Sequence, residues 1–221
     1  MLRAMRKHAK FFYVLFIMII VSFIFWGVGT VDKTTAVPVA EIGKEKITLD
    51  EYGRAYDRTV DFYRDMYKEK FNEEMEKQLK LREGVLTLLI DERVLMIAAR
   101  NTGMTVGDDE LEEAIVNEPG FLRNGVFDRD IYLRILQLNR ITPEYFENTK
   151  RNDLLLLKIK RLIGESVDLT DEEMKRITGD EQTAKAFRQA LLFDKRQKAV
   201  KSYVEGLKKQ LKIKINTQLI S

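Results

Sequence analysis

Cysteine is absent from the 221 residues and histidine occurs once, as His8. Disulfides, thiolate metal sites and cysteine nucleophiles are therefore excluded in this chain, as is any mechanism that needs two imidazoles. What remains for chemistry is mostly carboxylate. Asp108-Asp109-Glu110 and Asp171-Glu172-Glu173 each place three acids in a row, a set that in other settings binds a hard cation. Both lie where a helix should begin, where the dipole favours negative charge, and neither sits in an EF-hand loop, so helix capping explains them better. Gly120, Gly125 and Gly164 stand apart and build no phosphate-cradling loop. Asn152-Asp153 and Ser166 have no histidine to complete a hydrolase triad. Lys195-Arg196-Gln197-Lys198 and Lys208-Lys209 read as a solvated helix face. The expectation is a protein that is not an enzyme, with no catalytic residues, no metal and no cofactor.

The other candidates are apolar. Met66, Tyr67, Phe71, Met75, Phe121, Phe127, Tyr132, Tyr145 and Phe146 form a set unusually aromatic or flexible for a chain this helical. Met adapts to irregular partners and aromatic rings give large contact area at low entropy cost, which suits weak binding of unfolded chains. For any one of them, filling the core is the ordinary role; the functional reading concerns a surface.

Charge patterning divides the chain. The first 31 residues hold Arg3, Arg6, Lys7 and Lys10 and no acid, which leaves 34 bases against all 35 acids in the rest. The net charge of +3 thus belongs to the start, and the near-neutral body lacks the basic excess of a nucleic-acid binder. From Phe11 to Val31 no residue is charged. As a helix this run spans about 31 Å, close to the thickness of a bilayer core. Trp26 stands near its far end, and the four cations precede it, so the positive-inside rule keeps residues 1–10 cytoplasmic and exports everything after Val31. The alternative is a cleaved leader ending near Thr34-Thr35-Ala36, but a leader's apolar core is usually about 7–15 residues. The expected organisation is a basic segment 1–10, a transmembrane helix 11–31, a linker 32–37 and an exported domain 38–221.

The pattern of the exported part predicts the following elements. Pro38–Ile42 reads as a strand, and Gly43-Lys44-Glu45 as a turn before Lys46-Ile47. Thr48 and Glu51 fit a capping box for a helix to about Tyr67. Asn72 caps a long helix to about Asn101, stopped by Gly103. Asp108 or Asp109 caps a short helix through Val116, and Phe121–Phe127 is a turn flanked by apolar residues. Asp128 caps a helix to about Leu138, and Thr142-Pro143 starts another that runs to Gly164. Thr170–Glu173 is a second capping box, and a last helix spans about Glu181 to Gln210. Leu211–Asn216 then alternates apolar and polar residues. Two isolated strands at opposite ends of a helical domain are expected to pair, since each otherwise lacks partners for its backbone groups. The fold class is mainly α, with a small two-stranded sheet clasping the ends of the body.

These residues resemble the SurA N-terminal chaperone domain family, in its membrane-anchored PpiD-like form. The resemblance is carried by Phe25-Trp26-Gly27-Val28-Gly29 closing the apolar run, by Val39-Ala40-Glu41-Ile42-Gly43 with Ile47-Thr48, and by Val85–Glu92 through Gly103–Val106. Asn124–Asp128, Ile141–Phe146 and Lys208–Asn216 continue it in order. It covers nearly the whole chain. Members commonly insert a parvulin-type prolyl isomerase domain before the closing helix; here about twenty residues separate Ile163 from Thr183, and the exported body has no histidine for a parvulin site. The resemblance implies a periplasm-facing, ATP-independent holdase at the bacterial inner membrane that binds unfolded or nascent exported polypeptides, without isomerase activity. The alternatives are a non-catalytic scaffold subunit of an inner-membrane complex, near the export machinery for example, and an accessory to a prolyl isomerase.

Overall fold

The computed structural model describes residues 37–220. The expected basic segment, the transmembrane span 11–31 and all of the linker but Val37 lie outside the described residues. Among the described residues no helix is long and apolar enough to cross a membrane.

Pro38–Ser221 form one unit that is mainly helical. Its first strand, β1 (Pro38–Ile42), turns at Gly43-Lys44 into β2 (Glu45–Thr48), antiparallel with Ala40 opposite Ile47. Gly43 takes φ +60°, the conformation that a two-residue hairpin turn asks of its first residue. At the far end of the chain β5 (Ile213–Ile215) returns to the other edge of β1, with Glu41 opposite Lys214. The Gly43 N–H donates to the Lys212 carbonyl at 3.0 Å and the Asn216 N–H to the Val39 carbonyl at 2.9 Å, extending the pairing past the strand ends. The ends of the body do pair, but the sheet has three strands in the order β2-β1-β5, where two were expected. The reason is the Gly43 turn, which folds Ile47 back to a fully buried position beside β1.

Helix α1 (Leu49–Tyr67) follows at once, capped by the Thr48 hydroxyl accepting from the Glu51 N–H at 3.1 Å. Only half of the predicted capping box forms here, because the Glu51 carboxylate turns to Arg93 instead. The long helix expected from Asn72 to Asn101 is two helices, α2 (Glu73–Gln78) and α3 (Leu81–Asn101), broken at Lys80, which adopts a left-handed φ of 49°. The break aims α2 back at α1: Glu76 of α2 accepts from the Tyr56 hydroxyl and pairs with Arg82 at 3.5 Å. Helix α3 is the centre of the domain, with Val85, Ile90, Val94 and Leu95 among its buried residues.

Helix α4 (Asp108–Val116) begins after Gly107, so its acids lie inside the first turn and neither Asp108 nor Asp109 is the cap. A small hairpin follows, β3 (Leu122–Arg123) and β4 (Val126–Phe127), closed by Asn124 and Gly125, both at positive φ. Asp128 caps α5 (Arg129–Leu138), and Thr142 caps α6 (Pro143–Glu165) with Pro143 at its first position. The reciprocal capping box at Thr170 and Glu173 is complete and starts α7 (Asp171–Arg176). Between Glu165 and Glu181 the chain holds only this short helix and its connections. Helix α8 (Glu181–Gln210) then packs on α6 and α3 and leads into β5.

Candidate client-binding surfaces

The nine apolar candidates fall into two groups on different elements. Phe121, Phe127, Tyr132 and Phe146 meet in one aromatic cluster, brought together by the β3–β4 turn and by the capped starts of α5 and α6. Phe121 stands edge-on to Tyr132 at 5.0 Å between centroids and to Phe146 at 5.4 Å. Phe121 and Tyr132 are buried, 4% and 8% exposed, so they fill the core, while Phe127 and Phe146 are half-buried. Tyr145 points out to solvent. The Tyr132 hydroxyl is buried without a well-formed hydrogen bond, and burial first, then the neighbouring Glu147 carboxylate, pushes its pKa up.

The second group lies on the outer half of α1 and the turn after it. Beyond Tyr56 no residue of α1 belongs to the core. Tyr63 stacks on Tyr67 at 6.0 Å and on Phe71 at 6.3 Å, which aligns three rings along one side. On the adjoining stripe Met66 is 55% exposed, and Phe62, one turn earlier, is 58% exposed. Met75 of α2 is half-buried. Phe62 is absent from the residues singled out by sequence, although its i−4 spacing from Met66 is the signal that places both on one face. Phe187 and Phe193 on α8 are exposed as well, in a helix whose even polarity hid them.

A groove connects to the first cluster. It has a volume of about 470 Å³ and lies between α4, α5 and the start of α6, lined by Leu111, Ile115, Phe127, Tyr132, Leu133 and Pro143, with Glu112, Arg129, Glu147 and the paired Asp108 and Arg151 around it.

The charged residues act within the fold. Arg151 donates to the Val106 carbonyl at 2.6 Å and to Asp108 at 2.7 Å, and Lys158 joins the Thr105 carbonyl to Glu110. Lys195 donates to Glu173 at 2.7 Å and to the Asp168 carbonyl, and Lys208 pairs with Asp91 and Glu205. Two of the lysines read as a solvated face are thus ties between elements, because α8 lays them across α7 and α3. Among the described residues no three acids or histidines converge to hold a metal ion.

The family described as SurA-like N-terminal domain matches residues 1–160. Over 95 residues, 43% of this chain and 15% of its relative, the sequence is 30% identical to the periplasmic chaperone PpiD of Haemophilus influenzae. It is 35% identical over 74 residues to the periplasmic chaperone PpiD of Escherichia coli, covering 34% of this chain and 12% of that protein. Over 186 residues, 80% of this chain and 53% of its relative, it is 23% identical to the foldase protein PrsA of Clostridium perfringens. The chain thus spans only part of these relatives, from about an eighth to about half of their length.

Proposed function

We propose, since the chain belongs to the SurA-like N-terminal domain family, that it is a holdase: it binds unfolded, newly exported polypeptides through apolar surface and releases them by dissociation, without ATP. In this reading residues 11–31 anchor it in the inner membrane and the body faces the periplasm. The observation that carries it is the outer half of α1 and the turn after it, where Phe62 and Met66 are more than half exposed beside the half-buried rings of Tyr63, Tyr67 and Phe71, and where none of the five belongs to the core. Such a face offers area without a fixed shape, as promiscuous binding requires. Occupancy of unfolded chains suppresses their self-association by mass action. No isomerase step is part of the proposal, because the span between Glu165 and Glu181 holds no more than α7.

The test uses the full chain, purified in mild detergent, titrated into a labelled unfolded outer-membrane-type polypeptide while anisotropy and aggregation are followed. Saturable micromolar binding that delays aggregation without nucleotide is the expected result. No binding at tens of micromolar, with circular dichroism showing a folded helical protein, overturns the holdase and leaves a dedicated partner in a membrane complex as the reading to pursue.

A further inference from the structure

The groove between α4, α5 and the start of α6 carries an inference beyond the α1 face. We propose that it is a second, selective site, which takes an extended polypeptide segment whose large apolar side chain is flanked by lysine or arginine; its ligand class rests on the holdase reading. The volume of about 470 Å³ lies in the range of sites that enclose a ligand, and its floor is aliphatic and aromatic. No described segment of the chain fills it.

Charge sets the preference. Helix α4 has five carboxylates in nine residues and no base. Asp108 pairs with Arg151 and Glu110 with Lys158, whereas Asp109, Glu112 and Glu113 have no ion-pair partner among the described residues. Negative charge in the first turn of a helix is favourable, but Glu112 stands mid-helix and Glu113 at the start of the last turn, so the dipole gives neither that support. Glu112 lines the groove, and Glu147 of α6 faces it from the other side. With Asp108 and Arg151 neutralising each other, two carboxylates remain on the lining against Arg129.

The floor supplies a polar anchor. Tyr132 lines the groove, is 8% exposed, and its hydroxyl makes no well-formed hydrogen bond, with the Glu147 carboxylate as its neighbour. A buried donor so poorly matched is unfavourable, and the backbone carbonyl of an entering segment supplies a better acceptor. The apolar side chain then rests on Ile115 and Phe127, and its cationic neighbours meet Glu112 and Glu147.

Two labelled peptides of equal length test this against the full chain in mild detergent: one with Leu-Phe-Leu between lysines, the other with the same core between glutamates. The lysine peptide is expected to bind at least tenfold more tightly, with the difference shrinking as salt rises. Leu133→Asp, at a half-exposed wall position, is expected to weaken the lysine peptide about tenfold. Glu112→Gln with Glu147→Gln, which keep shape and helix, should erase the preference between the peptides. Equal affinity of both peptides, or lysine-peptide binding untouched by Leu133→Asp, overturns the groove. The unfolded polypeptide of the preceding test separates the two readings. If it still binds and delays aggregation while the peptides show no preference, only the groove site fails; if it does not bind and the lysine peptide does, the groove stands and the holdase falls.

Discussion

Arg93 of α3 donates to Glu51 of α1 at 2.6 Å, and its other terminal nitrogen reaches Glu45 of β2 at 3.1 Å. One guanidinium therefore joins the hairpin, the first turn of α1 and the central helix. It is largely shielded, with 20% of its side chain exposed. Removing it leaves the Glu51 carboxylate without its partner at a half-buried site, while Glu45 keeps Arg100 at 2.9 Å. Arg93→Met is expected to lower stability by about 2 kcal/mol, below the cost of breaking a fully buried pair. Urea unfolding measures it, and a change below about 0.5 kcal/mol would mean the pair is as loose as a surface salt bridge.

The sheet gives a sharper contrast. Ile47 of β2 is fully buried, whereas Ile215 of β5 is 49% exposed on an edge strand. Ile47→Ala deletes core atoms and leaves a cavity, so about 3 kcal/mol of stability should go. Ile215→Ala should cost under about 0.5 kcal/mol. Thermal or urea unfolding of the two variants side by side checks the assignment, and equal effects would contradict the placement of Ile47 in the core and of Ile215 at its edge.

Those two isoleucines also show what could be read from the chain. The alternation around Ile213 and Ile215 gave away a strand, and its isolation gave away the pairing with β1, because unpaired backbone groups need partners. That the strand is a half-exposed edge is decided by which helices pass over it, which no local pattern records. Caps were legible where the side chain that bonds the helix start is adjacent in sequence, as at Thr142 and Thr170. Lys80 was not: a left-handed lysine has no residue signature, and the Tyr56, Glu76 and Arg82 contacts beside it join three helices. Burial of Phe121 beside exposure of Phe62 escaped for the same reason, since residue type is alike and only tertiary packing separates them.

Glu173 supplies a pH-dependent tie. The hydrogen bond from Lys195 first, then the Thr170 backbone N–H, hold its pKa down at about 2, from an ordinary 4.5. A depressed carboxylate pKa means that its contribution is fully present above about pH 4.5 and is lost as pH falls toward 2. Glu173→Gln should therefore destabilise the packing of α7 on α8 at pH 7 and have a much smaller effect at pH 2, where about half of the carboxylates are protonated. Amide exchange in α7, compared between wild type and variant across that range, reads it out. A difference that persists unchanged at pH 2 would show that the side chain acts by shape and not by charge.

The α1 face separates function from stability. Phe62 and Met66 lie one turn apart, both more than half exposed and outside the core, so replacing both with serine should change stability by no more than about 0.5 kcal/mol. A bound client covers what is now exposed of both side chains, roughly 1–2 kcal/mol of apolar burial between them. By the relation of about 1.4 kcal/mol per factor of ten, Phe62→Ser with Met66→Ser should weaken binding of an unfolded polypeptide about tenfold. Ile215→Ser, exposed to a similar degree but remote from the aromatic rings of α1, is the control and should leave binding unchanged. Affinity measured by anisotropy on the full chain decides between them. If the double variant binds as tightly as wild type while the control also does, the outer half of α1 is not where clients rest, and the exposed Phe187 and Phe193 of α8 become the surface to change next.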